Sequence, residues 1–429
     1  MPIFDYGSVI YGSAKEYILQ KLNPVHHAGI RIATGALRSS PVPSLYVESG
    51  IMPLSLRRSK MIMNYVSKIG SCHMNPIHNE FFNRNYDFAN HPNTPKPLLM
   101  RAREITDFIA NIDSSEFAPY DKHIPPWSSV VPSIDTSLHS DKKDNVSPSV
   151  FQVQFLVNIN TKYHDRILCF TDGSKTENST SCAYTINKNV NSFRLNVVNS
   201  VFSAELMAIL LCLQNLKYLP STKFLLVTDS MSSLQAITSK SCNNALLSKI
   251  YSTWLDLVAC GKEISFMWCP SHCGISGNEA VDVAAKNPSP SFPPLKLCSA
   301  SDYKPLIKKI VQRNWQSSWN SVPNGNKLKS IKPDIEKWPS SNRKTRLEEV
   351  VLTRMRIGHT RLTHSYLFSR SPQPTCRCGD ILTVKHILTC PLDIQLRSSL
   401  PNPPSLIDET TGVDALMSLL KSLKILDKI

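Results

Sequence analysis

The hydrophobic pattern is most regular between residues 160 and 290, where short apolar runs alternate with longer helical stretches. Runs of strand length occur at residues 166–170, 224–227 and 264–268. Stretches with the length and apolar density of buried helices occur at residues 202–216 and 245–258. Strands that alternate with helices through short connections predict an α/β layer sheet.

Two further strands are expected within residues 182–198, joined at the polar residues 187–189. The first three strands then follow one another with no helix between them, so the sheet should be mixed. Helices are also expected from Ser232 onward and over residues 278–286.

The rest of the chain divides by composition. Residues 1–110 are mostly helical, with helices expected at 14–22 and 54–69, and nothing before residues 4–6 could cover that segment. Two segments rich in Ser and Pro, residues 111–160 and 289–300, are interpreted as linkers. Residues 301–429 are basic and helical. The domain itself is assigned to residues 161–288.

Composition favours a nucleic-acid partner. Lys and Arg number 48 against 33 acidic residues, a formal charge of +15, and neutralising phosphates releases condensed counterions. The alternative is a soluble protein that is simply basic. The 12 cysteines are scattered, which predicts reduced thiols and an intracellular location. No secretory signal or membrane span is expected.

Two carboxylates follow apolar strands in the same setting, Asp172 and Asp229. Ligand sites in such sheets lie beyond the carboxyl ends of the strands, so the pair could share one site. Singly, each is more typical of an ordinary turn or helix-cap residue than of a ligand site.

Glu205 is the only charged residue within residues 201–216, and helical spacing places it on the stripe that faces the sheet. A carboxylate there needs a cation or hydrogen-bond donors, whereas an exposed first-turn Glu would need neither. Further on, His272 lies in a predicted loop and Asp282 in the helix after it. A loop histidine is ordinarily just solvated, and Glu279 could be a helix-start acid.

Taken together, four segments of the chain resemble the ribonuclease H family. They are Thr-Asp-Gly-Ser at 171–174, Ala-Glu at 204–205, Thr-Asp-Ser at 228–230, and Pro-Ser-His-x-Gly-Ile-x-Gly-Asn-Glu-x-x-Asp at 270–282. The resemblance implies an α/β fold with a five-stranded mixed sheet and helices on both faces. It implies hydrolysis of the RNA strand of RNA–DNA hybrids with two Mg²⁺ or Mn²⁺ ions. The implied metal ligands are Asp172, Glu205, Asp229 and Asp282. His272 would assist proton transfer and product release, and the backbone at Gly173 and Ser174 would lie near the cut strand.

Two features depart from the family or suggest other chemistry. Residues 239–244 are too short for the basic helix with which some members grip the hybrid. Cys269 and Cys273 flank His272, but no fourth ligand follows at zinc-finger spacing, so a zinc site there is disfavoured.

A second metal site is expected at residues 376–390, where four soft ligands occur at Cys376, Cys378, His386 and Cys390. This set suits tetrahedral zinc, with unrelated thiols as the alternative. Just upstream, residues 353–362 are basic and either contact phosphate or form a solvated face.

This tail, together with the ribonuclease H segment, resembles the end of polyproteins of jockey-type non-LTR retrotransposons. Residues 1–70 resemble the region after the polymerase palm in those proteins, and no Asp-Asp pair occurs in the chain. The resemblance implies a C-terminal fragment without reverse transcriptase activity. Two rival hypotheses remain: a catalytically decayed nucleic-acid-binding remnant, and a DNA-cutting relative, against which the His272 loop argues.

Overall fold

The structure, a computed structural model, describes residues 2–82, 95–113, 116–119, 131–139, 146–239, 244–290, 293–338, 343–392, 394–398, 400–401 and 410–429. The chain divides into two compact units. Their bounds are Met1–Met61, His91–Leu98 and Lys308–Ile429 for the first, and Ile62–Asn90 and Leu99–Ile307 for the second. In the described residues no helix is both long and apolar enough to cross a bilayer.

A six-stranded mixed sheet forms the centre of the second unit. Its strands are β1 (Ser133–Asp135), β2 (Ile167–Lys175), β3 (Thr180–Ile186), β4 (Asn189–Leu195), β5 (Lys223–Thr228) and β6 (Glu263–Trp268). Their spatial order is β1-β6-β5-β2-β3-β4. The β2–β3–β4 meander is antiparallel and the other pairs are parallel. The five expected strands are all present, and β1 adds a sixth at the edge.

Five helices belong to this sheet: α1 (Pro148–Lys162), α2 (Val201–Leu216), α3 (Met231–Thr238), α4 (Ala245–Ala259) and α5 (Ser276–Lys286). The alternation along β5 shows how both faces are covered. Phe224 and Leu226 pack into the core formed with α2, α3 and α4. Leu225 and Val227 point the other way, into the core formed with α1 and α5. The α/β fold with helices on both faces is therefore confirmed.

The predicted linkers contain regular structure. Helix α1 buries Phe151 and Phe155, which outweigh the Ser and Pro content of residues 111–160 once they meet the sheet. At the other predicted linker, Leu297–Cys298 pairs in parallel with Glu116–Phe117. Both linker predictions were wrong for these parts, because average composition hides a few apolar residues that pack.

The remaining helices lie before and after the sheet in the chain. They span Pro2–Asp5, Ser8–Tyr11, Glu16–Gln20, Asn23–Thr34, Val42–Ser49, Leu54–Gly70, Pro76–Phe82, Leu98–Arg103, Thr106–Asp113, Tyr303–Asn320, Lys327–Ile331, Arg346–Ile357, Arg361–His364, Tyr366–Ser369, Val384–Thr389, Ile394–Arg397 and Thr410–Ser422. Single 3₁₀ turns lie at Ser137–His139, Ala300–Asp302 and Leu426–Lys428. The helix expected at 54–69 is confirmed. The one expected at 14–22 is shorter, because a new helix with Pro in its first turn starts at Asn23.

In the first unit, the basic residues 353–362 have structural roles. Arg356 is 2% exposed, lies 3.5 Å from a Glu48 carboxylate oxygen, and stacks with its guanidinium 3.9 Å from the centre of the Trp338 ring. Arg354 donates to the carbonyl oxygens of Gly35 at 2.8 Å and Ile429 at 2.9 Å. These two arginines therefore hold the unit together, and neither expected interpretation of the segment describes them.

Candidate metal and active site

Strand pairing brings Asp172 and Asp229 together. Thr171 of β2 is in register with Thr228, the last residue of β5, so Asp172 and Asp229 are the next residues on neighbouring parallel strands. Asp229 follows its strand as expected. Asp172 lies inside β2, since β3 continues the pairing there and sets Asp172 opposite Ala183.

Glu205 reaches the same place from helix α2. The helix is capped by Ser200, whose side-chain oxygen accepts from the Ser203 backbone N–H at 3.1 Å. It approaches β2 so closely that a Cβ atom at Gly173 would lie 2.4 Å from the Glu205 backbone nitrogen and 2.7 Å from the Ala204 carbonyl carbon. Glycine at position 173 therefore lets the helix deliver its carboxylate to the strand end.

Asp172, Glu205 and Asp229 each offer an oxygen, and these three atoms lie within 4.8 Å of one another. Asp172 and Glu205 are buried, at 6% and 7% exposure. Burial first, and then the charges of Asp229 and Asp282, raise the pKa of Asp172 to about 7. Burial and the Asp172 charge likewise raise the pKa of Glu205. Burial is also the main reason that the pKa of Asp229 is raised.

This cluster fits a divalent cation. One carboxylate oxygen of Glu205, Oε2, is buried and has no hydrogen-bond partner. Three converging carboxylates without a sulfur or nitrogen ligand are the donors that Mg²⁺ and Mn²⁺ prefer. A buried, unpartnered oxygen within a group of like charges is costly unless a cation satisfies it.

Asp282 and His272 form a second group beside the first, together with Glu279. Asp282 is on α5 and accepts from Lys286 Nζ at 2.7 Å. His272 has a left-handed φ of 54° and a side chain that is 62% exposed, with Nδ1 3.9 Å from Glu279 Oε2. The structure thus brings three of the four predicted metal ligands into one group and sets Asp282 with the exposed histidine.

Two polar residues near the site were not predicted from the sequence to belong to it. Asn278 is buried, and its Nδ2 lies 3.5 Å from Asp229 Oδ2. Gln152 of α1 donates through Nε2 to the Cys273 carbonyl oxygen at 2.9 Å, next to His272. Asn278 could have been found in the Gly-Asn-Glu stretch, whereas nothing in the sequence around Gln152 indicates its distant partner.

Under the ribonuclease H hypothesis, replacing Gln152 with Leu should lower kcat for hybrid cleavage about fivefold and leave KM unchanged. Leu keeps the size of the side chain but removes the donor, and losing one such hydrogen bond costs about 1 kcal/mol. Steady-state kinetics on a hybrid would measure this, with the exposed Asn160 of the same helix changed to Ala as the control.

If Gln152 acts by holding the His272 loop in position, Gln152→Leu should lower kcat no further in a protein that already carries His272→Ala. Additive losses in the double variant, or an unchanged kcat in folded Gln152→Leu, would show that Gln152 does not act through the His272 loop.

Three further predictions concern residues near this site. Ser174 lies in β2 next to Gly173, and its contact with substrate stays a prediction. Cys269 and Cys273 are buried, and among the described residues they do not join His272 in any group of metal-ligand type. Residues 240–243, in the segment judged too short for a basic helix, lie outside the described residues.

In the first unit, Cys376, Cys378, His386 and Cys390 converge, with one ligand atom from each lying within 4.8 Å of the others. The sulfurs of Cys376 and Cys390 are 3.7 Å apart, and Cys378 Sγ is 3.3 Å from His386 Nε2. Tetrahedral zinc with Zn–S bonds of about 2.3 Å places its sulfurs roughly 3.7 Å apart, so the geometry fits.

Local structure builds this second cluster. The Cys376 backbone N–H donates to the Asp380 carbonyl at 2.8 Å, and Gly379 takes a φ of 95° in the turn between them. His386 comes from the helix Val384–Thr389. The backbone N–H of Cys378 is the main reason that the pKa of the Cys376 thiol is lowered to about 6, which favours a metal-binding thiolate.

Comparison with known proteins agrees with the geometry of the second unit. Residues 164–289 match the family model of RNase H, which covers under a third of the chain. No curated protein matches the chain. The matched segment is thus similar to RNase H domains, and it includes Asp172, Glu205 and Asp229.

Proposed function

We propose that this protein hydrolyses the RNA strand of RNA–DNA hybrids with two divalent metal ions, Mg²⁺ or Mn²⁺. The observation that carries the proposal is the group formed by the buried Asp172 and Glu205 with Asp229, inside the segment that matches RNase H. The family is one of nucleases that act on such hybrids. Its match supports a nuclease, and the unpartnered oxygen of Glu205 supports the use of metal.

The carboxylates would hold the ions and orient the scissile phosphate. Asp172, Glu205 and Asp229 supply the inner ligands, and Asp282, whose charge already reaches Asp172, completes the set from α5. When bound, the ions supply Lewis acidity that activates a water and stabilises the leaving 3′ oxygen. Asn278 keeps the Asp229 carboxylate oriented.

His272 would move a proton and help the product to leave. Its side chain is exposed on a turn, with Glu279 near enough to hold it but not to bury it. The Gly274 N–H donates to Glu279 Oε1 at 3.1 Å, which ties the turn to α5. A histidine so placed can exchange protons with solvent between turnovers.

Choice of RNA over DNA would come from contacts to the 2′-hydroxyl, the group by which the two strands differ locally. The backbone at Gly173 and Ser174 is proposed to make them. Gly173 lies one residue from Asp172 on β2.

The deciding experiment is cleavage of a labelled RNA–DNA hybrid by the full chain, beside single-stranded RNA and duplex DNA, with Mg²⁺ or with EDTA. We expect loss of the RNA strand of the hybrid only, and only with metal. Binding of hybrid without cleavage would favour the decayed remnant. Cleavage of duplex DNA would favour the DNA-cutting relative.

We propose a structural zinc at Cys376, Cys378, His386 and Cys390, supported by their spacing. Reduced thiols are needed there, which fits an intracellular protein.

We also propose that the protein derives from a jockey-type non-LTR retrotransposon, because this cluster follows the ribonuclease H domain in the chain. Genomic sequence upstream should then encode a reverse transcriptase palm, intact or decayed, and its absence from every copy would contradict that origin.

A further inference from the structure

A buried carboxylate outside the RNase H match stands at the start of the helix that carries Glu205. Asp302 is 1% exposed and ends the 3₁₀ turn Ala300–Asp302. Its Oδ1 accepts from the Ser200 backbone N–H at 2.9 Å, the Ser200 hydroxyl at 2.8 Å and the Ser203 hydroxyl at 2.6 Å. These three donors belong to the cap and first turn of α2.

The second oxygen of Asp302 is equally well held. Oδ2 accepts from Asn199 Nδ2 at 3.2 Å and from the Ser299 backbone N–H at 2.8 Å. Five donors therefore satisfy one carboxylate, which also places a negative charge at the positive end of the α2 dipole. Such a group fixes the position of the helix end to which it binds.

The same network extends to the strand that carries Asp172. Lys175, the last residue of β2, donates from Nζ to the Val197 carbonyl at 2.9 Å and also to the Asn199 carbonyl. Asn199 in turn donates to Asp302. The end of β2 and the start of α2 are thus tied to one buried group, on either side of the close contact at Gly173.

We propose that Asp302 is a positioning residue for the metal site, holding the first turn of α2 so that Glu205 reaches Asp172. Glu205 lies two residues after Ser203, so a shift of the first turn moves its carboxylate directly. Residues 164–289 match the family model, and Asp302 lies beyond them, so a segment outside the match completes the catalytic unit. The inference rests on the proposed function, because it concerns the metal site on which that function depends.

The test is the affinity of the full chain for Mn²⁺, measured by calorimetry, together with the Mg²⁺ concentration that gives half-maximal cleavage. Mn²⁺ prefers oxygen ligands and so reports on the carboxylates. Asp302→Asn, which keeps the shape and removes the charge, should weaken Mn²⁺ binding about tenfold. This is the lower end of the loss caused by removing a direct partner of a metal ligand, because Asp302 acts on Glu205 only through the first turn of α2. The Mg²⁺ requirement should rise by the same factor.

Two further variants keep the result clear. Ser203→Ala removes only the 2.6 Å hydrogen bond and should weaken Mn²⁺ binding in the same direction, even if Asp302→Asn folds poorly. Ile250→Val, in the core of α4, lowers stability without touching this network and should leave Mn²⁺ affinity unchanged.

Unchanged Mn²⁺ affinity in folded Ser203→Ala and Asp302→Asn would overturn the inference and leave the proposed function standing. A wild-type chain that binds Mn²⁺ but cuts no hybrid, with binding weakened in Asp302→Asn, would support the inference while the proposed function failed. A wild-type chain that binds no Mn²⁺ would overturn both.

Discussion

Asp172→Asn should abolish hybrid cleavage, with a loss of about a thousandfold or more in kcat, and should leave the fold intact. The change removes the charge of a carboxylate that offers an oxygen within 4.8 Å of those of Glu205 and Asp229. Metal ions contribute several kcal/mol to the stabilisation of such a transition state, which is equivalent to that factor. Single-turnover cleavage with Mg²⁺ measures it, and Asp165→Asn on the exposed approach to β2 should retain activity.

The same variant should be more stable than the wild type when EDTA removes divalent ions. Burial and the neighbouring carboxylates raise the pKa of Asp172 to about 7, so its charge is unfavourable in the folded, metal-free protein at neutral pH. Relief worth one pKa unit is about 1.4 kcal/mol, or roughly 3–5 °C in Tm for a domain of this size. With Mg²⁺ the order should reverse, because the wild type gains the cation.

The sign of the pH dependence follows from the raised pKa. The folded protein binds more protons at Asp172 than the unfolded chain does between about pH 4 and pH 7, so in EDTA the contribution of Asp172 to stability falls as pH rises through this range. Asp172→Asn should lose less stability over that range. Buried histidines such as His26 and His364, whose pKa values burial lowers to about 4, act in the opposite sense. Their contribution cancels in the difference between the two proteins.

Equal Tm values for wild type and Asp172→Asn at every pH in EDTA would contradict this account. They would mean that the three carboxylates do not repel one another in the folded protein, and that the acidic cluster is solvated rather than prepared for metal.

Cys390→Ser should release the zinc and unfold the part of the first unit around it. Cys390 is buried, and its sulfur lies 3.7 Å from Cys376 Sγ and 4.0 Å from Cys378 Sγ. Zinc in such sites contributes about 10 kcal/mol or more to the free energy of folding. The loss of one thiolate ligand should remove a large share of this contribution. We expect one zinc per wild-type chain by elemental analysis and none in the variant, with the local unfolding transition lowered by well over 10 °C.

Cys260→Ser is the matched control, because Cys260 is exposed and belongs to no such cluster among the described residues. It should keep the zinc and the transition. The proposal would be contradicted by a wild-type protein that is purified without zinc and whose unfolding transition chelators do not change. The three thiols and the histidine would then be packed together without metal.

The sequence by itself determined the α/β core and most of the site. Apolar runs of strand length and their polar ends located β2, β5 and β6, because a buried strand must be continuous in apolar residues. Asp229 followed directly, as the first residue after its strand. Glu205 was recognisable because a single charge on an apolar helix requires a partner.

Composition could not identify the segments that complete this core. Residues 148–162 are largely apolar but follow a stretch rich in Ser and Pro, and only the facing sheet shows that Phe151 and Phe155 are buried. Average composition does not show in which direction a side chain points, whereas the burial of that side chain depends on its direction.

Only the tertiary structure decided how the residues of the acidic cluster are held. The hydrogen bond from Gln152 to Cys273 joins residues 121 apart in the chain, and those from Ser200 and Ser203 reach Asp302 about a hundred residues later. Patterns along a chain report local periodicity, whereas such contacts depend on where distant segments meet. The sequence therefore predicted which side chains form the candidate site, and the packing of α1 and of residues 295–302 decided what holds them in place.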